Sequence, residues 1–123
     1  MAPKKILLVD DSDTVLMMNR LILSKEGYGI LIAKDGQQAV DLAFKERPDL
    51  ILMDVIMPNV GGFDAVRALR EKAETKDIPV IMVTTRGEEE NIRRGFDVGA
   101  RDYVTKPVNG GELIAKIRAC LGD

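Results

Sequence analysis

Asp10, Asp11, Asp54, Thr84 and Lys106 stand at or just past the C-terminal ends of four short apolar runs that lie far apart in the chain. Gathered at one place, they would set three carboxylates beside a hydroxyl and an ammonium. Carboxylate oxygens suit Mg2+, a hard cation that favours oxygen ligands and keeps several waters, so that one or two carboxylates and a phosphoryl oxygen make an ordinary ligand set. Asp11 and Asp54 would supply it, with Asp10 in support. A carboxylate is also a competent nucleophile toward phosphorus once its charge is screened, and a metal and Lys106 would screen it. Phosphoryl transfer then needs mainly positioning and donors for the equatorial oxygens. Thr84 and the loop after Asp54 stand where such donors are wanted.

The elements that must bring these residues together are legible from periodicity. Runs at residues 6–9, 29–33, 50–53, 79–83 and 102–105 are mostly apolar at consecutive positions, as strands covered on both faces are. Segments with helical spacing alternate with them. Asp13 is expected to cap a first helix with Val15, Met18 and Ile22 on one stripe and Gly27 after its last turn. Residues 37–45 and 63–73 carry apolar stripes, residues 88–98 open with three glutamates, and residues 111–121 place Leu113, Ile117 and Leu121 at intervals of four. Strand and helix thus alternate five times, which predicts an α/β doubly wound domain with a parallel sheet and right-handed crossovers. Ligands of such sheets bind beyond the carboxyl ends of the strands, where strand order reverses.

Composition narrows the function. The 123 residues fit one domain, expected over residues 1–123, and a net charge of −2 argues against nucleic acid or an anionic membrane as partner. The single cysteine, Cys120, forms no internal disulfide and reads as a packing residue, which suits a reducing cytoplasm. The apolar run before Asp10 is too short for a signal segment or a membrane span. Met17, Met18, Met53, Met57 and Met82 read as core or near-core filler, and Glu88, Glu89 and Glu90 as a solvated helix start.

The stretches ILLVDD, DLILMDVIMPNVGG, IPVIMVTT and GARDYVTKP, in this order and spacing, resemble the receiver domains of two-component response regulators, especially the single-domain, chemotaxis-type regulators. The resemblance runs through essentially the whole chain. It implies a flavodoxin-like sheet of order 2-1-3-4-5 with five helices. It also implies Asp54 as phosphoacceptor, Asp10 and Asp11 as an acidic pair holding Mg2+ together with Asp54, and the Ile56 carbonyl as a backbone ligand. Thr84 resembles the switch hydroxyl and Tyr103 the aromatic that follows it. Lys106 resembles the lysine that pairs with the phosphoryl group, and Pro107 the proline after a cis peptide bond. Ile56, Thr85 and Arg86 occupy positions expected to modulate the reaction. Gly61 stands before Gly62 where many relatives have an acidic residue, so a looser loop is expected there.

The function implied is a phosphorylation switch rather than a turnover enzyme. The chain has no histidine, so the phosphohistidine donor must be a separate sensor histidine kinase or phosphotransfer protein. A downstream effector is expected on the face of the fourth helix, fifth strand and fifth helix, where Arg93, Arg94 and Lys116 stand near Tyr103. A free-standing regulator of motility, pilus control or phosphorelay and a receiver cut from a longer chain both remain open. Two other readings compete. Asp11-Ser12-Asp13-Thr14-Val15 satisfies the haloacid-dehalogenase phosphatase signature, which would make Asp11 essential and leave Asp54 and the Met57-Pro58 turn unused. A pseudo-receiver acting only as a docking module would leave the whole acidic site idle.

Overall fold

The structure, a computed structural model, describes residues 3–57, 59–85 and 88–122. Its elements follow in the order β1 (Lys5–Val9), α1 (Asp13–Ser24), β2 (Gly29–Ala33), α2 (Gly36–Glu46), β3 (Leu50–Asp54), α3 (Gly62–Arg70), β4 (Val80–Thr85), α4 (Glu89–Val98), β5 (Asp102–Lys106) and α5 (Gly110–Leu121). The strands form one parallel sheet of order β2-β1-β3-β4-β5.

Alternation explains why the strand segments read as unbroken apolar runs. Leu7, Val9, Ile51, Met53, Val80 and Met82 point to one face, where α2 and α3 cover them with Ala39, Ala43, Val66 and Leu69. Ile6, Leu8, Leu50, Leu52, Ile81 and Val83 point to the other, under Leu16 and Leu23 of α1 and Leu113 and Ile117 of α5. Over the central strands β1, β3 and β4 both faces are dry, so polar residues are not tolerated there until the strands end, whereas the edge strands β2 and β5 are partly exposed.

Local chemistry sets the helix starts. Ser12, not Asp13, caps α1: its hydroxyl accepts the Val15 N–H at 3.3 Å, leaving Asp13 in the first turn, paired with Lys34. Asp35 and Asn109 cap α2 and α5 in the same way at 2.8 and 2.9 Å. α1 ends at Ser24, and Gly27 follows in the turn with φ 85°. The expected stripe of α1 is displaced: Leu16, Asn19 and Leu23 are the buried positions, whereas Val15 and Ile22 are half-buried and Met18 is 58% exposed. Met17 is exposed too, so of the named methionines only Met53, Met57 and Met82 belong to the core. α3 stops at Arg70 rather than reaching residue 73, because the chain leaves it through successive turns in which the buried Thr75 hydroxyl returns to the Leu69 carbonyl at 2.7 Å. Among the described residues no helix is long and apolar enough to cross a membrane.

Candidate functional site

The sheet order makes β1 the neighbour of both β2 and β3, so the connections from β1 and from β3 diverge and open a crevice at their carboxyl ends. Asp10 and Asp11 follow β1, Asp54 closes β3, Thr84 and Thr85 close β4, and Lys106 closes β5. Asp10, Asp11 and Asp54 each bring one carboxylate oxygen to within 4.8 Å of the others. Lys106 Nζ lies 3.3 Å from Asp54 Oδ2 and 3.4 Å from Asp10 Oδ2. Five residues remote in sequence thus meet at one sheet edge.

Their burial differs in a useful way. Asp54 is 5% exposed and Asp10 3%, whereas Asp11 is open to solvent. The Asp10 carboxylate is oriented by the Ser12 N–H at 2.9 Å. Burial, aided by the charge of Asp10, raises the Asp54 carboxyl from 3.8 to about 6, although Lys106 and the Ile56 N–H favour its ionised form. Burial alone would lower the Lys106 ammonium, but Asp54 and Asp10 outweigh it and hold its pKa above the ordinary value. The cluster has more negative charge than one ammonium offsets. Three converging hard oxygen donors with that surplus fit a small divalent cation.

Thr84 adds a different signal. Its Oγ1 is buried and, among the described residues, is the only such side-chain nitrogen or oxygen without a hydrogen-bond partner. A buried unsatisfied hydroxyl costs about 1–3 kcal/mol, and it lies in the wall of the cavity that Asp54 opens into. That cavity holds about 300 Å3 and is bounded by Asp11, Thr84, Thr85, Glu88 and Lys106, with Ile56 at its mouth 67% exposed. A larger groove of about 380 Å3 lies between α1 and the segment after β5, lined by Val15, Met18, Ile22, Pro107 and Val108. It is apolar apart from Asn19 and the flank of Lys106, and does not contain Asp54.

The loop after Asp54 is tied down. The Gly62 N–H donates to the Val55 carbonyl at 3.0 Å and the Gly36 N–H to the Val60 carbonyl at 2.9 Å, while Asn59 reaches Asp35 at 3.4 Å. Lys106-Pro107 is cis, as expected. Tyr103 is half-buried, packs edge-on against Phe96 with ring centroids 6.1 Å apart, and carries the Lys116 ammonium 4.5 Å over its face. The Arg94 guanidinium lies 4.6 Å over the Phe63 ring. Thr85 is exposed at the cavity edge; Pro58 and Arg86 lie outside the described residues. Asp13 pairs with Lys34 and is not in the carboxylate cluster that a phosphatase signature would need it to join.

Residues 6–118 match the family described as response regulator receiver domain. The chain belongs to that family. It is 46% identical over 117 residues to protein PilH of Pseudomonas aeruginosa, covering 95% of this chain and 97% of PilH. It is 45% identical to the transcriptional regulatory protein CpxR of Escherichia coli over 95% of this chain but 49% of CpxR, so it spans about half of that relative. Among solved structures, chemotaxis protein CheY4 of Vibrio cholerae superposes with a TM-score of 0.91 at 37% identity, covering 98% of this chain and all (100%) of CheY4. The receiver domain of sensor histidine kinase PA1611 from Pseudomonas aeruginosa, with a magnesium ion coordinated in its active site cleft, gives 0.92 at 30% identity, with 99% and 100% covered. This receiver therefore has the fold that its sequence implied, and it is a component of two-component signalling.

One residue in the cavity went unnoticed in the sequence. Glu88 reads there as a solvated helix start, yet it lines the cavity into which Asp54 opens. The signal available was its place four residues after Thr84, at the turn into α4.

Proposed function

We propose that this receiver is a Mg2+-dependent phosphorylation switch, acting as one domain over residues 1–123 in the cytoplasm, with Asp54 as phosphoacceptor. The observation that carries the reading is the position of Asp54: a buried carboxylate 3.3 Å from Lys106, beside two further carboxylates and in one cavity with the unpartnered Thr84 hydroxyl.

Asp54 attacks the phosphorus of a phosphohistidine on a sensor histidine kinase or phosphotransfer protein. The new bond joins its Oδ to phosphorus, and the electron pair of the broken P–N bond returns to the imidazole. Asp10, Asp11, Asp54 and the Ile56 carbonyl would hold Mg2+, which when bound supplies charge neutralisation for the phosphoryl oxygens. Lys106 is placed to leave its carboxylate partners for a phosphoryl oxygen, and Thr84 gains in another the acceptor it lacks. Thr84 pairs in register with Thr105 of β5, two residues from Tyr103, which gives the local charge change a short path to Phe96, Lys116 and the α4–β5–α5 face where an effector would bind. The chain is then substrate and co-catalyst of its own modification, not a turnover enzyme. Pairing of Asp13 with Lys34 disfavours the phosphatase reading, and the complete site disfavours an idle docking module.

Labelling with a small-molecule phosphodonor, read by intact mass, tests this. One phosphoryl group should be added in the presence of Mg2+, and none on Asp54→Asn. Full labelling of that variant on another residue would overturn the assignment. An unlabelled native chain whose Thr84 and Tyr103 NMR signals ignore beryllofluoride would instead make it a docking module.

A further inference from the structure

We propose that Glu88 is the general base for hydrolysis of the aspartyl phosphate, accepting the proton of the attacking water at the mouth of the cavity. The inference rests on Asp54 as phosphoacceptor and adds the group that sets the lifetime of the signal.

Displacement at phosphorus keeps the attacking and leaving oxygens roughly in line. Asp54 lies in the cavity floor, so water must arrive from the side away from it, toward the mouth. Of the described side chains that line the cavity, Asp11, Ile56 and Thr85 are exposed and Lys106 and Glu88 are half-buried, Lys106 being paired with Asp54 and Asp10 and Glu88 standing at the start of α4. Ile56 carries no base, and a threonine hydroxyl is a poor one. Asp11, the other carboxylate of the cavity wall outside the floor, belongs to the acidic cluster around Asp54. Glu88 is the carboxylate left for the water.

Its local structure frees it for that work. Ser12, Asp35 and Asn109 spend their side chains on capping their helices, but Glu88, in the N-cap position of α4, makes no side-chain cap bond. Its backbone performs the joining instead: its N–H donates to the Thr85 carbonyl at 3.2 Å, and its carbonyl accepts the Asn91 N–H at 3.0 Å. The Asn91 side-chain amide donates to Oε2 and fixes the carboxylate, leaving Oε1 without a hydrogen-bond partner among the described residues. In the hydrolytic step the water oxygen bonds to phosphorus, one water proton passes to Glu88, and the bond from phosphorus to the Asp54 oxygen breaks with its electron pair returning to the carboxylate. The products are hydrogen phosphate and free Asp54, and Glu88 releases its proton to solvent.

The test is the decay of the phosphorylated chain after the phosphodonor is removed, in Mg2+ in H2O and in D2O. Glu88→Gln keeps an oxygen for the Asn91 amide but cannot take a proton. It should label to the native stoichiometry and decay at least about tenfold more slowly, toward the ~100-fold low end of what a positioned base contributes. Its solvent isotope effect should fall toward unity. Glu88→Asp, which keeps the base on a shorter stem, should recover part of both rate and isotope effect. Native decay in Glu88→Gln overturns the proposal, as does slow decay with an unchanged isotope effect, which would mark a charge effect only. A native chain that takes no label overturns the phosphoacceptor reading as well, so the two failures are told apart by the labelling step.

Discussion

Burial beside Asp10 raises the Asp54 carboxyl from 3.8 to about 6, and Lys106 at 3.3 Å offsets only part of that. Between those two values the folded chain holds a proton that the unfolded chain has released, so folding stability falls as pH rises through this window and is restored as pH falls. A full shift of this size would correspond to about 3 kcal/mol, and screening by water at the cavity mouth reduces it to about 1–2 kcal/mol. Asp54→Asn should therefore raise the urea midpoint near neutral pH, and the gain should vanish near pH 4; an equal gain at both would locate the strain elsewhere than in this charge. Thr84 stores a tension of the same kind. Replacing it with valine removes a buried hydroxyl that has no partner, so the unphosphorylated chain should be as stable as native or about 1 kcal/mol more so. The same variant should accept a phosphoryl group yet leave the Tyr103 NMR signals unmoved; a native-sized Tyr103 shift would remove Thr84 from the relay.

Among the elements, the turn into α3 packs its backbone closely against that of Asp54. A Cβ on Gly62 would stand 2.2 Å from the Asp54 carbonyl oxygen and 3.0 Å from the Val55 Cα, neither of which can give way without moving Asp54. Gly61, with an ordinary φ of −74°, has only the Val55 carbonyl at 3.7 Å. Gly62→Ala should cost about 1–3 kcal/mol in denaturant titration and reduce phosphorylation, while Gly61→Ala should do neither. Similar losses from both would mean that the loop yields as a unit. This asymmetry is invisible in the sequence, where two adjacent glycines look alike. Placement of β1, β3 and β4 was legible because both sheet faces over them are dry, which makes each an apolar run that ends at polar residues. The convergence of Asp10, Asp11, Asp54, Thr84 and Lys106 followed from those ends and from the strand order that the family resemblance implied. The cap of α1, the exposure of Met17 and Met18 and the placement of Glu88 did not follow, because each depends on which way a side chain faces after tertiary packing. Val15, Met18 and Ile22 have helical spacing, but α1 turns Leu16 and Leu23 to the sheet instead.

Across the whole molecule, α4 is held unequally at its two ends. It buries only Gly95 among its own residues, and its first turn begins at the Asp54 cavity through Glu88. At the opposite end the Arg70 guanidinium of α3 donates to the Gly99 carbonyl at 2.8 and 3.1 Å, to Ile78 at 2.8 Å and to Lys76 at 3.1 Å, fastening the C-cap of α4 to α3 and to the segment before β4. Under the proposed phosphorylation, charge added at Asp54 would act on the weakly rooted end, so α4 should pivot about the rooted one. Amide shifts caused by beryllofluoride should accordingly decline along α4 from Glu89 to Val98 and be small at Gly99. Arg70→Gln removes most of this fastening; hydrogen bonds from a charged donor contribute about 1.5–3 kcal/mol, so stability should fall by about that amount. In that variant the shifts should extend through Gly99. Uniform shifts along α4 in the native chain, or a decline left unchanged by the substitution, would show that the helix moves as a rigid body and that Arg70 stabilises the fold without directing the switch.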